Sequence, residues 1–541
     1  MPDIDVNKLG DYGIIKDLDA DHLPPNAWTD GENVRFRHGH VARIPGEQVV
    51  YDGASVAPYW VLPIQTASTL QLLYGGLTAA ASFDGTSHTT RTRSVGGAYS
   101  ASADLLWNGG VFNGIPIINN GSDVPQFWAT IGSGTLADLT NWPSTHRAQI
   151  LVPFGSFMVA LNLTISSVEY PHRVLWSHSA DPGTIPSSWD ITDATKDAGE
   201  RDVTDVNSGI IVGAKELAGQ LFIYKGQAVW SMRYIGGQEI FGFRQVFNSF
   251  GAINNHCIVE VPRTTGRGRS TGRPPEHFVA TGDDLVIHDG TSVRSIIDKK
   301  WQQYLQTALD GDNWNRSFVV TNSKEDEIWF CFPEQGQSSC SRVIIWNYED
   351  DTISTRELPG FSYGIETFID DEGNIGQAWA DDSDSWNTDG TIWNDSVFNA
   401  NTRGVLMCAP AATDFVQVDA TSQFQGNDYS SYVERSGIAL IGYDRQGQPQ
   451  IDYNSIKLVT RVWPKVVSDA SVTVKVLAQE GPESPIVYSA GFTFTPGIGQ
   501  RFVDIDPPLA GRLLGIRFES NSGTSWELHG YKYDIELLGE F

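Results

Sequence analysis

The chain has 541 residues, too many for one hydrophobic core, so several domains or one large radial repeat are expected. Hydrophobic residues make up 40% and charged residues 19%, which excludes a disordered chain. The formal net charge of -28 argues against a sequence-specific DNA reader, yet suits a tube through which DNA slides, because an acidic wall repels phosphate.

The first residues, Met-Pro-Asp-Ile-Asp, have no basic n-region or apolar core, so no Sec-type signal is expected and folding in a cytoplasm is. No run approaches the length of a membrane span. Residues 13–46 then read as a proline-stiffened β-hairpin. Leu23-Pro24-Pro25 stiffens the approach, Trp28 is an apolar anchor and Asp30-Gly31 is a turn. Asn33 to Arg37 reads as a strand with Val34 and Phe36 on one face and charged residues on the other. His38-Gly39-His40 turns the chain back into Val41 to Ile44. Trp28 and Phe36 are expected to be buried. His38 and His40, two apart, would share one face of a strand; solvated turn residues are the expectation, and no metal site is assigned.

From 50 to 365 almost everything reads as strands of four to eight residues. Asp84-Gly85, Lys225-Gly226 and Asp289-Gly290 each separate two strand-like runs, a hairpin signature with a two-residue turn. Their spacing fits blades of a β-propeller, about six by blade length. An irregular pair of β-sandwiches is the plainer alternative. One helix is expected over 298–309, where Trp301, Leu305 and Leu309 recur at four-residue spacing.

Two segments interrupt the pattern. Residues 263–275 carry Arg263, Arg267, Arg269 and Arg273 and no acid; they read as a long exposed loop, either solvated or engaging an acidic protein partner or DNA phosphate, the protein partner being favoured. Residues 366–395 hold nine acids, no Lys or Arg, and Trp379, Trp386 and Trp393. Asp382, Asp384, Asp389 and Asp395 there raise calcium or sugar binding, but the spacing is not that of an EF-hand, and a turn-rich linker is the expectation. After Cys408, strands recur at regular intervals with Gly, Pro and Asn turns, the spacing of a β-sandwich. The fold expected is therefore all-β: residues 1–50 an N-terminal hairpin or platform closing onto the propeller, 51–410 the propeller with loop insertions, and 411–541 the sandwich.

The four cysteines form no C-x-x-C pair, so buried thiols are expected rather than a zinc site. No Walker A, dinucleotide fingerprint, H-E-x-x-H or G-x-S-x-G pattern is present, and the chain is expected to be non-enzymatic and without a cofactor.

LPPNAWTDGENVRFRHGHVARIPG, at residues 23–46, resembles the N-terminal segment of tail nozzle (tail-tubular) proteins of short-tailed bacteriophages. Tyr432-Val433-Glu434-Arg435-Ser436-Gly437, Val462-Trp463-Pro464 and residues 526–535 (WELHGYKYDI) add to the resemblance, which touches both ends of the chain. It implies a structural protein of the virion tail, assembled in the host cytoplasm. The family forms a ring, six-fold, below the portal and the head-tail adaptor, with tail fibres or tailspikes as neighbours and a channel that conducts double-stranded DNA. A carbohydrate-binding or polysaccharide-depolymerising propeller and a tail plug or DNA-stabilising protein are the alternatives.

Overall fold

Short β-branched and aromatic runs, closed off by Gly, Asn and Asp turns, set up antiparallel ladders along the whole chain. The computed structural model describes residues 3–539 apart from 67–69, 207–208, 263–273, 370–402, 444–448 and 498.

Seven four-stranded antiparallel sheets occur among the described residues, at 60–90, 108–138, 146–202, 211–247, 258–295, 318–361 and 363–418. Blades 1 to 6 are each built from four consecutive strands. Blade 7 takes its outer strand from far upstream: β5 (Glu47–Tyr51) pairs with Asp414–Val418, Glu47 opposite Val418. First strands of neighbouring blades touch from blade 2 round to blade 7, and that of blade 7 touches that of blade 1. A separate apolar cluster fills each gap. Trp60, Leu73 and Trp107 lie between blades 1 and 2, and Phe318, Trp329 and Met407 between blades 6 and 7. Leu72, Tyr74 and Phe415 close the ring between blades 7 and 1. The fold is thus a β-propeller by topology. Blade length leads to about six rather than seven, since blade 2 ends in two strands of two residues each and blade 7 borrows β5.

The turns differ from the two-residue expectation. Four residues, 84–87 and 289–292, join the third and fourth strands of blades 1 and 5. In each, the leading aspartate folds back: Asp84 Oδ1 accepts the Thr86 and Ser87 N–H groups, and Asp289 Oδ1 those of Thr291 and Ser292. These bonds hold the Asp289 carboxyl well below the usual range.

Two six-stranded sheets and a two-stranded one (Leu440–Tyr443 with Pro449–Ile451) make up the remainder among the described residues. In one, β1 (Asp3–Asn7), β3 (Val34–Arg37) and β4 (His40–Arg43) join Ile456–Ser468, Val503–Gly511 and Trp526–Gly539. In the other, β2 (Asp30–Glu32) pairs with Ser431–Ile438, beside Leu513–Ser520, Val472–Gln479 and two short strands. Val474, Ile516 and Phe518 from one sheet share a core with Val462, Leu528 and Ile535 from the other. The same cluster continues into Phe278, Ile287 and Phe330 between blades 5 and 6. Residues before 50 therefore serve both parts of the molecule: β1 to β4 are strands of the C-terminal sheets, and β5 closes the propeller.

The helix forms as α1, Gln302–Ala308, with Trp301 and Leu305 buried. Its first turn is capped from a distance: Asp17 accepts the N–H groups of Gln303 (2.7 Å) and Tyr304 (3.2 Å).

Candidate functional site

The stretches 23–46, 432–437 and 526–535 are far apart in sequence, the first nearly 400 residues or more from the other two, and converge in space. Trp28 is 1% exposed, donates its Nε1–H to the Leu9 carbonyl (2.9 Å) and lies 6.2 Å, ring to ring, from Tyr531. Arg435 is buried and donates to the carbonyls of Ala20 (2.8 Å), Leu23 (2.9 Å) and Ser436. It thereby anchors the segment that Pro24 and Pro25 stiffen. Burial lowers the Arg435 pKa, and Tyr531, Tyr533 and Asp21 offset only part of it. Thr29 Oγ1 donates to the Glu434 carbonyl (3.1 Å) and accepts the Ser436 N–H (3.1 Å).

Asn33 ties this core to the propeller. It is fully buried at φ +56°, in the left-handed region that asparagine tolerates better than most residues. Its Nδ2–H donates to the Ser430 carbonyl (2.8 Å), and its Oδ1 accepts the Glu357 N–H of blade 6 (3.0 Å). Val34 and Phe36 are buried as expected, Phe36 at 2% exposure. On the charged face of β3, Arg35 is buried too, contrary to the alternation, while Arg37 stays partly exposed. Arg35 donates from Nε and Nη2 to the two oxygens of Glu327 (3.0 and 3.1 Å) and from Nη2 to Asp419 (2.7 Å). Arg37 pairs with Glu325 at 2.5 Å. Close by, Arg356 donates to Glu47 (2.5 Å), with both side chains at 0% exposure, and covers the rings of Trp329 and Phe424. Burial opposes the charge on Arg35, but Asp419, Glu327 and Glu325 outweigh it and push its pKa up. Burial pushes the Glu47 carboxyl up to about 7 in spite of Arg356 beside it. The network joins β3, blade 6, β5 and the segment after blade 7, so it fixes the C-terminal sheets to the propeller.

A second polar cluster lies between blades 4 and 5. Tyr224 Oη is 2.7 Å from His277 Nδ1 and 2.6 Å from His288 Nε2. Gly290 donates its N–H to His288 Nδ1, so Nε2 carries the His288 proton and donates to Tyr224. Tyr224 then donates to His277 Nδ1, and His277 Nε2–H to the Glu216 carbonyl (3.0 Å). The chain is satisfied with both rings neutral. Burial lowers His277 to about 3 and His288 to about 4.

A cavity of about 160 Å³ opens at the first strands of blades 2 to 4, lined by Asn108, Gln149, Asn162, Asn254, Asn255 and Asn315 among others. Several of these amides act as pins between blades: Asn108 donates to the Gln149 carbonyl (2.9 Å), Asn162 to that of Ile211 (3.0 Å) and Asn254 to that of Ser317 (2.9 Å).

Arg263, Arg267, Arg269 and Arg273 lie outside the described residues, as do Asp382, Asp384, Asp389 and Asp395 with their tryptophans. The four cysteines are buried and free. His38 occupies the turn at φ +52°, while His40 begins β4, so the two do not share a strand face. His40 is half-buried against His529, not a solvated turn residue. The buried charge network was missed because its acids, Glu327 and Asp419, lie hundreds of residues from Arg35. An excess of arginine on a short strand was its one local signal.

No family model matches the chain, and no curated protein does. Among solved structures it is similar to the WD40 β-propeller domain of Doa1, at 9% identity and a TM-score of 0.38, covering 69% of this chain and 96% of that one. PorZ, a surface component of the type-IX secretion system of Porphyromonas gingivalis, aligns at 8% identity and a TM-score of 0.31, over 72% of this chain and 43% of that one. The propeller assignment rests on strand topology, not on these alignments. Among the described residues, no helix is long and apolar enough to cross a membrane.

Proposed function

We propose that this chain is a non-enzymatic structural subunit of the tail nozzle of a short-tailed bacteriophage, working as a ring below the head-tail adaptor. The observation that carries the reading is the convergence just described. Of the three separated stretches that resemble nozzle proteins, 432–437 is hydrogen-bonded to 23–46 through Arg435 and Thr29, and 526–535 pairs with 23–46 as neighbouring strands, Val41 opposite Leu528, with Trp28 near the Tyr531 ring. Motifs that pack as one unit support a shared architectural origin better than motifs scattered over a surface.

The mechanism is mechanical and electrostatic. Subunits pack side by side, six copies in the pattern of the family it resembles, and enclose a channel. A chain of net charge -28 lets the genome pass without counterion-release affinity to hold it. Insertions such as residues 263–273 dock the adaptor, the fibres or the next subunit. The decisive experiment images virions carrying this protein with a bound label, alongside the mass of the isolated assembly. Label at the tail beyond the adaptor and a ring-sized mass are expected. A protein that stays monomeric and never joins purified tails overturns the reading. Cleavage of host polysaccharide lost on changing one aspartate would favour the carbohydrate-acting alternative.

A further inference from the structure

His40, Glu527 and His529 form a cluster apart from the charge network. β4 pairs with Trp526–Gly539, Val41 opposite Leu528 and Ala42 opposite Glu527, which brings His40 level with His529. Val41 and Leu528 point into the core, so the alternation of the strands sends His40 and Glu527 to the other face. On its far side the same strand pairs with Ile456–Ser468, where Lys465 faces Gly530 and Val466 faces Leu528. His529 is the extra residue of that bulge, and a bulge re-aims the side chain it carries. Here it directs His529 onto His40, with ring centroids 3.8 Å apart and planes at 37°. His529 Nε2 stands 3.5 Å from Glu527 Oε1. One donor atom from each of the three residues lies within 4.8 Å of the others.

His40 Nδ1 and His529 Nε2 are both shielded from solvent, and neither has a hydrogen-bond partner among the described residues. Buried polar atoms are nearly always partnered, and an exception calls for an explanation such as a bound ion. No ring-to-ring hydrogen bond joins these two nitrogens, whereas a cation between them takes both lone pairs and the carboxylate as well. We propose that His40, Glu527 and His529 bind a divalent cation of the zinc class, which clamps the N-terminal hairpin to the C-terminal strand. Two imidazoles and one carboxylate are the donors zinc takes, whereas calcium and magnesium call for oxygen throughout. Tetrahedral bonds of ~2.0–2.1 Å set donor atoms roughly 3.3 Å apart, so small side-chain rotations close the site. All three residues are partly buried, and water would complete the four-coordinate shell. Arg37 lies opposite His40 in the β3–β4 ladder, but its guanidinium is engaged by Glu325.

The test uses the untagged full chain, stripped with chelator and titrated with Zn²⁺ and Co²⁺. One equivalent should bind, Co²⁺ should give the visible bands of a four-coordinate ion, and Zn²⁺ should raise the melting temperature. His40→Ala and His529→Gln should each lose the equivalent and the thermal response, and His38→Ala should keep both. X-ray absorption of the zinc-loaded wild type, which needs no variant to fold, should show two imidazole ligands. Failure of the wild type to bind, binding unchanged in both ligand variants, or an absorption spectrum without imidazole overturns the proposal.

Discussion

Arg35 is held by carboxylates from blade 6 and from the segment after blade 7, and it has no access to water to replace them. Removing one partner of such a network strands the other charges in low dielectric. Arg35→Met should lower the unfolding free energy by about 3–5 kcal/mol in urea titrations, and adding Glu327→Met should recover part of it. Titration of a histidine pair and of one glutamate gives opposite signs that can be separated. His277 and His288 have folded pKa values near 3 and 4, below their unfolded values of ~6.5. They contribute stability that is full above pH ~6.5 and lost as pH falls toward 4. Glu47 is raised to about 7, so the native state takes up its proton first and gains stability as pH falls from about 7 toward ~4.5. Glu47→Gln should therefore steepen the loss of melting temperature between pH 7 and 4.5, and His288→Gln should flatten it. Residue 35 also marks a limit of sequence reading. Alternation placed Val34 and Phe36 correctly in the core, but could not tell a solvated charged face from one buried against acids supplied by a distant blade.

The link between β4 and β5, residues 44–46, is where the chain leaves the C-terminal sheets for the propeller. Gly46 sits so close to the Gln423 backbone that an added Cβ would overlap its carbonyl. Gly46→Ala should cost roughly 1–3 kcal/mol, read as a lowered melting temperature. Gly311→Ala, with open space around it and no positive φ, should melt near the wild type apart from small backbone-entropy effects. The helix tells a similar story. The four-residue spacing of Trp301, Leu305 and Leu309 made α1 legible, but its cap was not, since Asp17 comes from elsewhere. Asp17→Ala should cost about 0.5–2 kcal/mol by the same measurement. The C-terminal strands were legible one by one from their turns. Their sorting into two sheets was not, because β1 to β4 belong among them and nothing local in the sequence specifies a partner more than 400 residues away.

At the scale of the molecule, the propeller and the C-terminal sheets form one body through a continuous apolar cluster and the charge network. A chain truncated after residue 430 leaves Val34, Phe36 and Val41 without the strands they pack on. Amide exchange in β1 to β4 should then be fast, while blades 2 to 4 keep their protection. If blades 2 to 4 exchange equally fast, the two parts are a single cooperative unit rather than neighbours. Ring assembly should fail in the truncated chain if the proposed nozzle role holds. β5 carries one more consequence. It leaves the ribosome roughly 360 residues before Asp414–Val418, the strand that receives it, and at ~5–20 residues per second that is a wait of about 20–70 s. During translation a bare β-edge, with Val49 and Tyr51 on it, depends on chaperones or on its own charged neighbours to avoid pairing with another nascent chain.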